Sequence, residues 1–140
     1  MEYGTPNVVG IASLYAGQDW IEQQGMENIY AHEISLVKKL VEGFSGIEGI
    51  TVYCCNSMEN HLSTVTMNID GIDAGNVGTM LDVDYNLATR TGLHCAPLIH
   101  EHYGTAPRGT VRFSIGPFNT KEHIETAIKA VREIAADRPV

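Results

Sequence analysis

The chain is short of cysteine, short of basic residues and without any long apolar run, and each shortage removes a class of protein. Three cysteines, two of them adjacent at Cys54-Cys55, build no disulfide framework, and their odd number suits a reducing compartment. Nine Lys and Arg stand against 17 Asp and Glu, a formal charge of −8. That balance argues against a nucleic-acid partner, because a phosphate backbone is held by clustered basic side chains. No window is apolar enough to span a membrane, and the opening Met1-Glu2-Tyr3-Gly4-Thr5 has neither the basic region nor the apolar stretch of a secretory leader, so a cytoplasmic location is expected. Repeats, linkers and low-complexity segments are also missing. With 140 residues and 44% hydrophobic content the chain has enough apolar material for one core, and a single domain over residues 1–140 is expected. Gly71, Gly75 and Gly78 surround a short helix but lack the strand-to-helix fingerprint of a nucleotide loop.

What the chain does have is concentrated in Arg90-Thr91-Gly92-Leu93-His94-Cys95-Ala96-Pro97-Leu98. One thiol stands there in a loop bounded by glycine and proline, beside an arginine and a histidine. A cysteine reacts as its thiolate, and positive charge nearby favours that form. A structural cysteine would more commonly have aliphatic neighbours on both sides. The basic residues gather here too: Arg90, Arg108 and Arg112 are three of the five arginines, in a segment whose only acidic residue is Glu101. A positive island in an acidic chain suits a small anionic ligand.

The periodicity interleaves helices and strands. Residues 7–21 carry Val8, Ile11, Ala12, Leu14, Tyr15 and Trp20, apolar on nearly every side, which predicts a buried helix. Met26, Ile29, Tyr30, Ile34, Val37, Leu40, Val41 and Phe44 then recur at helical spacing opposite Lys38, Lys39 and Glu42, with Gly46 as the stop. Trp20, Tyr15, Tyr30 and Phe44 read most simply as core. Strands are expected at 50–55 and 63–69, the second with a period-2 alternation. Cys54 and Cys55 would there face opposite ways and be structural. Asp73 is placed to cap a short helix over Val77, Met80 and Leu81, and residues 87–90 predict a brief strand into the cysteine loop. In 110–115, Val111, Phe113 and Ile115 share one face, and Arg112 projects from the other. Asn119, with Glu122 three residues on, is expected to cap a last helix striped with Ile124, Ala127, Ile128, Val131 and Ile134. The fold class is α+β, a two-layer sandwich of one small, mostly antiparallel sheet with helices packed on it.

Three motifs resemble those of one family: Glu2-Tyr3-Gly4-Thr5-Pro6-Asn7, the Arg90 to Leu98 run, and Val111-Arg112-Phe113-Ser114-Ile115-Gly116-Pro117-Phe118-Asn119-Thr120. In order and spacing the chain resembles the C-terminal small domain of the cysteine desulfurases, pyridoxal-phosphate enzymes of the class V aminotransferase group (fold type I), in the selenocysteine-lyase-like branch. The resemblance implies that Cys95 is the nucleophile that takes sulfur from L-cysteine (or selenium from selenocysteine), leaving alanine and an enzyme persulfide. It implies that Arg112 grips the substrate carboxylate, an assignment that agrees with its outward place on the strand and with the bidentate geometry of guanidinium. Arg90 matches a second arginine near the substrate, with a structural salt bridge as the competing reading, and His94 is expected to tune the thiol or handle a proton. Gly4 and Thr5 match a motif that reaches the cofactor phosphate of the neighbouring subunit in a homodimer. Their place before a helix, where free N–H groups and the helix dipole attract anions, is compatible with that, while the residues alone would make Thr5 a plain N-cap.

The departure from the family is as informative. The lysine that holds pyridoxal phosphate belongs to the family's large domain, and no candidate appears here: Lys38, Lys39, Lys121 and Lys129 all fall on predicted helices. The chain therefore reads as a fragment or separately expressed domain whose partner is the large domain of the same enzyme, inactive alone and not expected to bind the cofactor covalently. Two rival readings stand beside it. One is a non-catalytic module that accepts sulfur or docks a sulfur-acceptor protein. The other is a metal site built from His94, Cys95, His100 and His102, although nothing like a CxxC supplies a second ligand pair. His100 is otherwise expected to support the loop and His102 to be solvated.

Overall fold

In the strand Thr64–Ile69, Val65, Met67 and Ile69 are buried while Thr64, Thr66 and Asn68 are not, the alternation expected where a strand lays one face on a core. The structure, a computed structural model, describes residues 4–54 and 57–139. Its elements run α1 (Val8–Gln24), α2 (Met26–Ser45), β1 (Ile50–Tyr53), β2 (Thr64–Ile69), α3 (Ala74–Tyr85), β3 (Arg90–Gly92), α4 (Pro97–His102), β4 (Thr110–Ser114) and α5 (Lys121–Ala136). The four strands form one sheet in the order β1-β2-β4-β3, every neighbouring pair antiparallel. The α+β sandwich with one antiparallel sheet is thus the fold observed.

One face of the sheet is covered. Leu36, Val37, Leu40 and Phe44 of α2, Val77 and Leu81 of α3, and Ile124, Ala127 and Val131 of α5 pack with Val65, Met67, Val111 and Phe113 of the strands. Phe44 meets Phe113 edge-on, ring centroids 5.2 Å apart. The opposite face carries Tyr53, Thr64, Thr66, Thr110 and Arg112, and α4 with its flanking turns closes over part of it.

Several boundaries differ from the sequence reading. The third strand begins at Arg90, three residues later than expected, because Asn86 ends α3 in a left-handed conformation and Leu87 bonds back to Leu81. Thr120, not Asn119, caps α5: its hydroxyl accepts from the His123 N–H, and the His123 ring accepts from the Thr120 N–H. Asn119 instead uses its side-chain carbonyl on the Gly116 N–H, closing the preceding turn. Asp73 does cap α3, accepting from the Gly75 N–H. Of the Cys54-Cys55 pair, Cys54 is half-buried, and Cys55 lies outside the described residues.

The largest correction concerns α1. It forms as a helix, capped by the Asn7 side chain on the Gly10 N–H, yet none of its residues is buried. Val8, Ile11, Leu14 and Tyr15 are 61–73% exposed. Tyr30 is exposed as well, so of the aromatics expected in the core only Phe44 is there. Trp20 is half-buried, stacked on Phe118 at 4.9 Å. Apolar composition predicts a buried helix only where a covering surface exists, and among the described residues none buries any part of α1.

Candidate functional site

Cys95 sits at the tip of a tight turn. The Ala96 N–H donates to the Leu93 carbonyl at 2.8 Å, and both central residues, His94 and Cys95, have positive φ, 51° and 62°. Two successive non-glycine residues in this region are uncommon and cost of order 1–3 kcal/mol each, a strain the surroundings must hold. Pro97 then opens α4 at its first position, where a missing N–H costs nothing. At the base of the turn the backbones of β3 and β4 nearly touch. A Cβ on Gly109, whose φ is +75°, would lie 2.2 Å from the Gly92 carbonyl carbon and oxygen, so only glycine fits.

This turn exposes the thiol and aims Arg90 at it: an Nη2 N–H donates to the Cys95 Sγ at 3.3 Å. Hydrogen bonds from cationic donors are the contacts that best stabilise a negatively charged acceptor. Arg90 is also the antiparallel partner of Arg112, which in turn pairs with Thr66 on β2. Like charges opposite one another on a sheet repel. Among the described residues neither arginine has a carboxylate within salt-bridge distance. The register thus sets two guanidinium groups side by side on neighbouring strands.

Arg112 and His94 both line a cavity of about 510 Å³ on the open face of the sheet. The Nε of Arg112 and the Nδ1 of His94 are buried there without a hydrogen-bond partner among the described residues. His94 Nε2 lies 3.0 Å from the Thr110 hydroxyl. Burial first, then the positive charge of Arg112, the His100 ring and Arg90, hold the His94 pKa below its ordinary 6.5. That direction favours the neutral imidazole near pH 7, and its Nδ1 has no hydrogen-bond partner among the described residues. The His100 ring stands 5.6 Å from that of His94, is itself buried, and hydrogen-bonds through Nδ1 to the Thr105 hydroxyl at 2.7 Å. His102 is exposed against Tyr103.

The structure thus brings Cys95, Arg90, Arg112 and His94 into one neighbourhood. It does not bring Gly4 and Thr5 there: both are exposed ahead of α1, and no hydrogen bond among the described residues links them to the thiol turn. Thr5 is not the N-cap, a role taken by Asn7. Among the described residues no three His, Cys, Asp or Glu side chains converge to hold a metal ion, and no helix is long and apolar enough to cross a membrane. Sequence reasoning missed the supporting hydroxyls Thr105 and Thr110, and the partner of Cys54, whose Sγ lies 3.3 Å from His61 Nε2 on the same cavity. No local sequence pattern marks these contacts.

Comparison with known proteins identifies the relatives. A protein from Mycobacterium leprae described as probable cysteine desulfurase 2 is 35% identical over 130 residues, covering 93% of this chain and 30% of its own length. The apo structure of a cysteine desulfurase from Thermococcus onnurineus NA1 superimposes with a TM-score of 0.87 at 32% identity, over 96% of this chain and 33% of that one. A cysteine desulfurase from Escherichia coli, in its S-sulfonic acid form, superimposes with a TM-score of 0.82 at 26% identity, over 98% and 32%. The chain spans about a third of the length of the curated relatives it matches. The aminotransferase class-V model matches residues 1–126, and by that match, with the fold and these relatives in agreement, the chain belongs to the class-V aminotransferase family.

Proposed function

We propose that this chain is the C-terminal part of a pyridoxal-phosphate-dependent cysteine desulfurase, supplying the sulfur-accepting thiol and the substrate-carboxylate grip. The single observation that carries the reading is Arg90: its guanidinium touches the Cys95 sulfur while its strand position faces Arg112. Thiol and carboxylate site are thereby joined through one side chain. L-cysteine fits that arrangement in size and charge, with its carboxylate on Arg112 and its sulfur toward Cys95. Selenocysteine would fit in the same way.

Each residue then has a task. Arg112 holds and orients the carboxylate, and its unpartnered Nε is a donor in reserve. Arg90 stabilises negative charge on the Cys95 sulfur. His94, neutral and with a free nitrogen, accepts or returns a proton at the reacting end. Cys95 takes the sulfur as a persulfide, and the carbon skeleton leaves as alanine.

Pyridoxal phosphate, when bound, supplies the electron withdrawal that loosens the carbon–sulfur bond. The residues present fit the substrate side of that group and not its anchorage. None of the four lysines lines the cavity; Lys39 pairs with Glu125 and Lys129 with Glu133 on the helical side of the molecule. The cofactor lysine is assigned to a large domain that covers the open face. Exposed Gly4 and Thr5, just before α1, are assigned to the cofactor phosphate of the neighbouring subunit in a homodimer, and the bare apolar side of α1 supports such a covering surface. On this reading the chain alone is inactive, the assembled enzyme works in the cytoplasm, and an acceptor protein collects the sulfur from exposed Cys95.

The test is Cys95→Ala in the assembled enzyme. Sulfur release from cysteine is expected to fall to background while the cofactor absorbance still responds to added cysteine. Retained turnover would refute the assignment.

A further inference from the structure

The cavity that holds Arg112 and His94 is also lined by a thiol other than Cys95. Cys54, just past the end of β1, and His61, in the loop before β2, both line it. The His61 ring is fixed in one tautomer: its Nδ1 lies 2.5 Å from the Leu62 carbonyl oxygen, which can only accept, so Nδ1 carries a hydrogen. In the neutral ring Nε2 is then the bare nitrogen, and it lies 3.3 Å from the Cys54 Sγ. A thiol facing a bare imidazole nitrogen held by a third group is the arrangement by which a histidine activates a cysteine. It differs in kind from Cys95, whose sulfur meets a guanidinium that cannot take a proton.

Three further features make this pair part of a site. The cavity of about 510 Å³ is large enough for an amino-acid-sized molecule. Arg112 lines the same cavity with a buried Nε that has no partner among the described residues, so an anionic group has a place within it. His100, buried to 5% exposure, also lines the wall and is held by Thr105. A small anion with a sulfur at its far end matches charge, volume and nucleophile together.

We propose that Cys54 and His61 form a second sulfur-accepting site, which takes the outer sulfur of a small carboxylate-bearing hydrodisulfide, R–S–S–H, bound in the Arg112 cavity. The Cys54 proton passes to His61 Nε2, and the Cys54 sulfur attacks the outer sulfur. A new sulfur–sulfur bond forms at Cys54 as the one to R–S breaks. The departing R–S⁻ takes the proton from His61 and leaves as a thiol. The transferred sulfur keeps its oxidation level, so no oxidant or reductant is needed. The site goes beyond the Cys95 assignment and does not depend on it.

Cysteine hydrodisulfide is the probe, with alkylation and peptide mass spectrometry as the readout. Purified protein carrying Cys95→Ala should still gain one sulfur at Cys54. His61→Gln and His61→Ala should slow that gain about a hundredfold, the scale of a lost general base. Cys54→Ser should abolish it while loading at Cys95 in the otherwise unaltered protein continues, and that second readout shows the fold intact. Sulfur found on Cys55 in place of Cys54, or a Cys54 rate indifferent to both His61 substitutions, would overturn the proposal. Sulfur release from cysteine by the assembled enzyme tests Cys95 separately.

Discussion

Side by side on β4, Val111 and Phe113 are buried under three helices while Thr110 and Arg112 look into the open cavity. The first pair is apolar and interchangeable within limits of volume. The second is polar and specific. Because strand side chains alternate, the two sets share a backbone yet have separate partners, and energy lost on one face need not reach the other. The core is gathered on the helical face and the polar-lined cavity on the bare one.

Substitutions can break that division if it is wrong. Phe44→Ala, on the covered side, removes a fully buried ring packed on Phe113 and should cost about 3–5 kcal/mol of unfolding free energy in a denaturant titration. Persulfide loading of Cys95 in the remaining folded molecules should be unchanged. Arg112→Ala should do the reverse. In the assembled enzyme it should weaken apparent cysteine affinity by about 2–4 kcal/mol, as loss of a charge-assisted pair does, with little change in the unfolding midpoint. An unchanged Michaelis constant would count against Arg112 as the carboxylate grip.

The smallest expected effect is a pH dependence on the bare side. The His94 pKa is depressed in the folded chain, so as pH falls below about 6.5 the unfolded chain binds the proton first. Stability should therefore decline on acidification through that range, and His94→Gln should flatten the decline. A His94 variant with the same pH slope would show that the ring is not the group responsible.

The covered face was largely legible in the sequence. Heptad-like spacing put Ile34, Val37, Leu40 and Phe44 on one side of α2, and all four are buried. Period-2 alternation did the same for β2. Met26 and Tyr30 continue the α2 pattern and are exposed, since periodicity defines a stripe but not how far along it the sheet reaches. The whole of α1 fails in the same way on a larger scale. Of the site, Cys95, Arg90 and Arg112 could be named because each stands in a local motif, and the alternation in β4 gave Arg112 its outward aim. The Cys54–His61 contact could not, because no local spacing rule pairs a cysteine at a strand end with a histidine seven residues on.

The backbone crossing of Gly92 and Gly109 has a mechanical meaning. The Gly109 backbone lies so close to Gly92 that a side chain at 109 has no room, which gives the thiol turn a close-packed mount at its root. The direction of the Cys95 side chain is then set by peptide geometry more than by its packed neighbours. Reactivity at the tip can be tuned by exchanging side chains around it, while aim stays locked in the main chain.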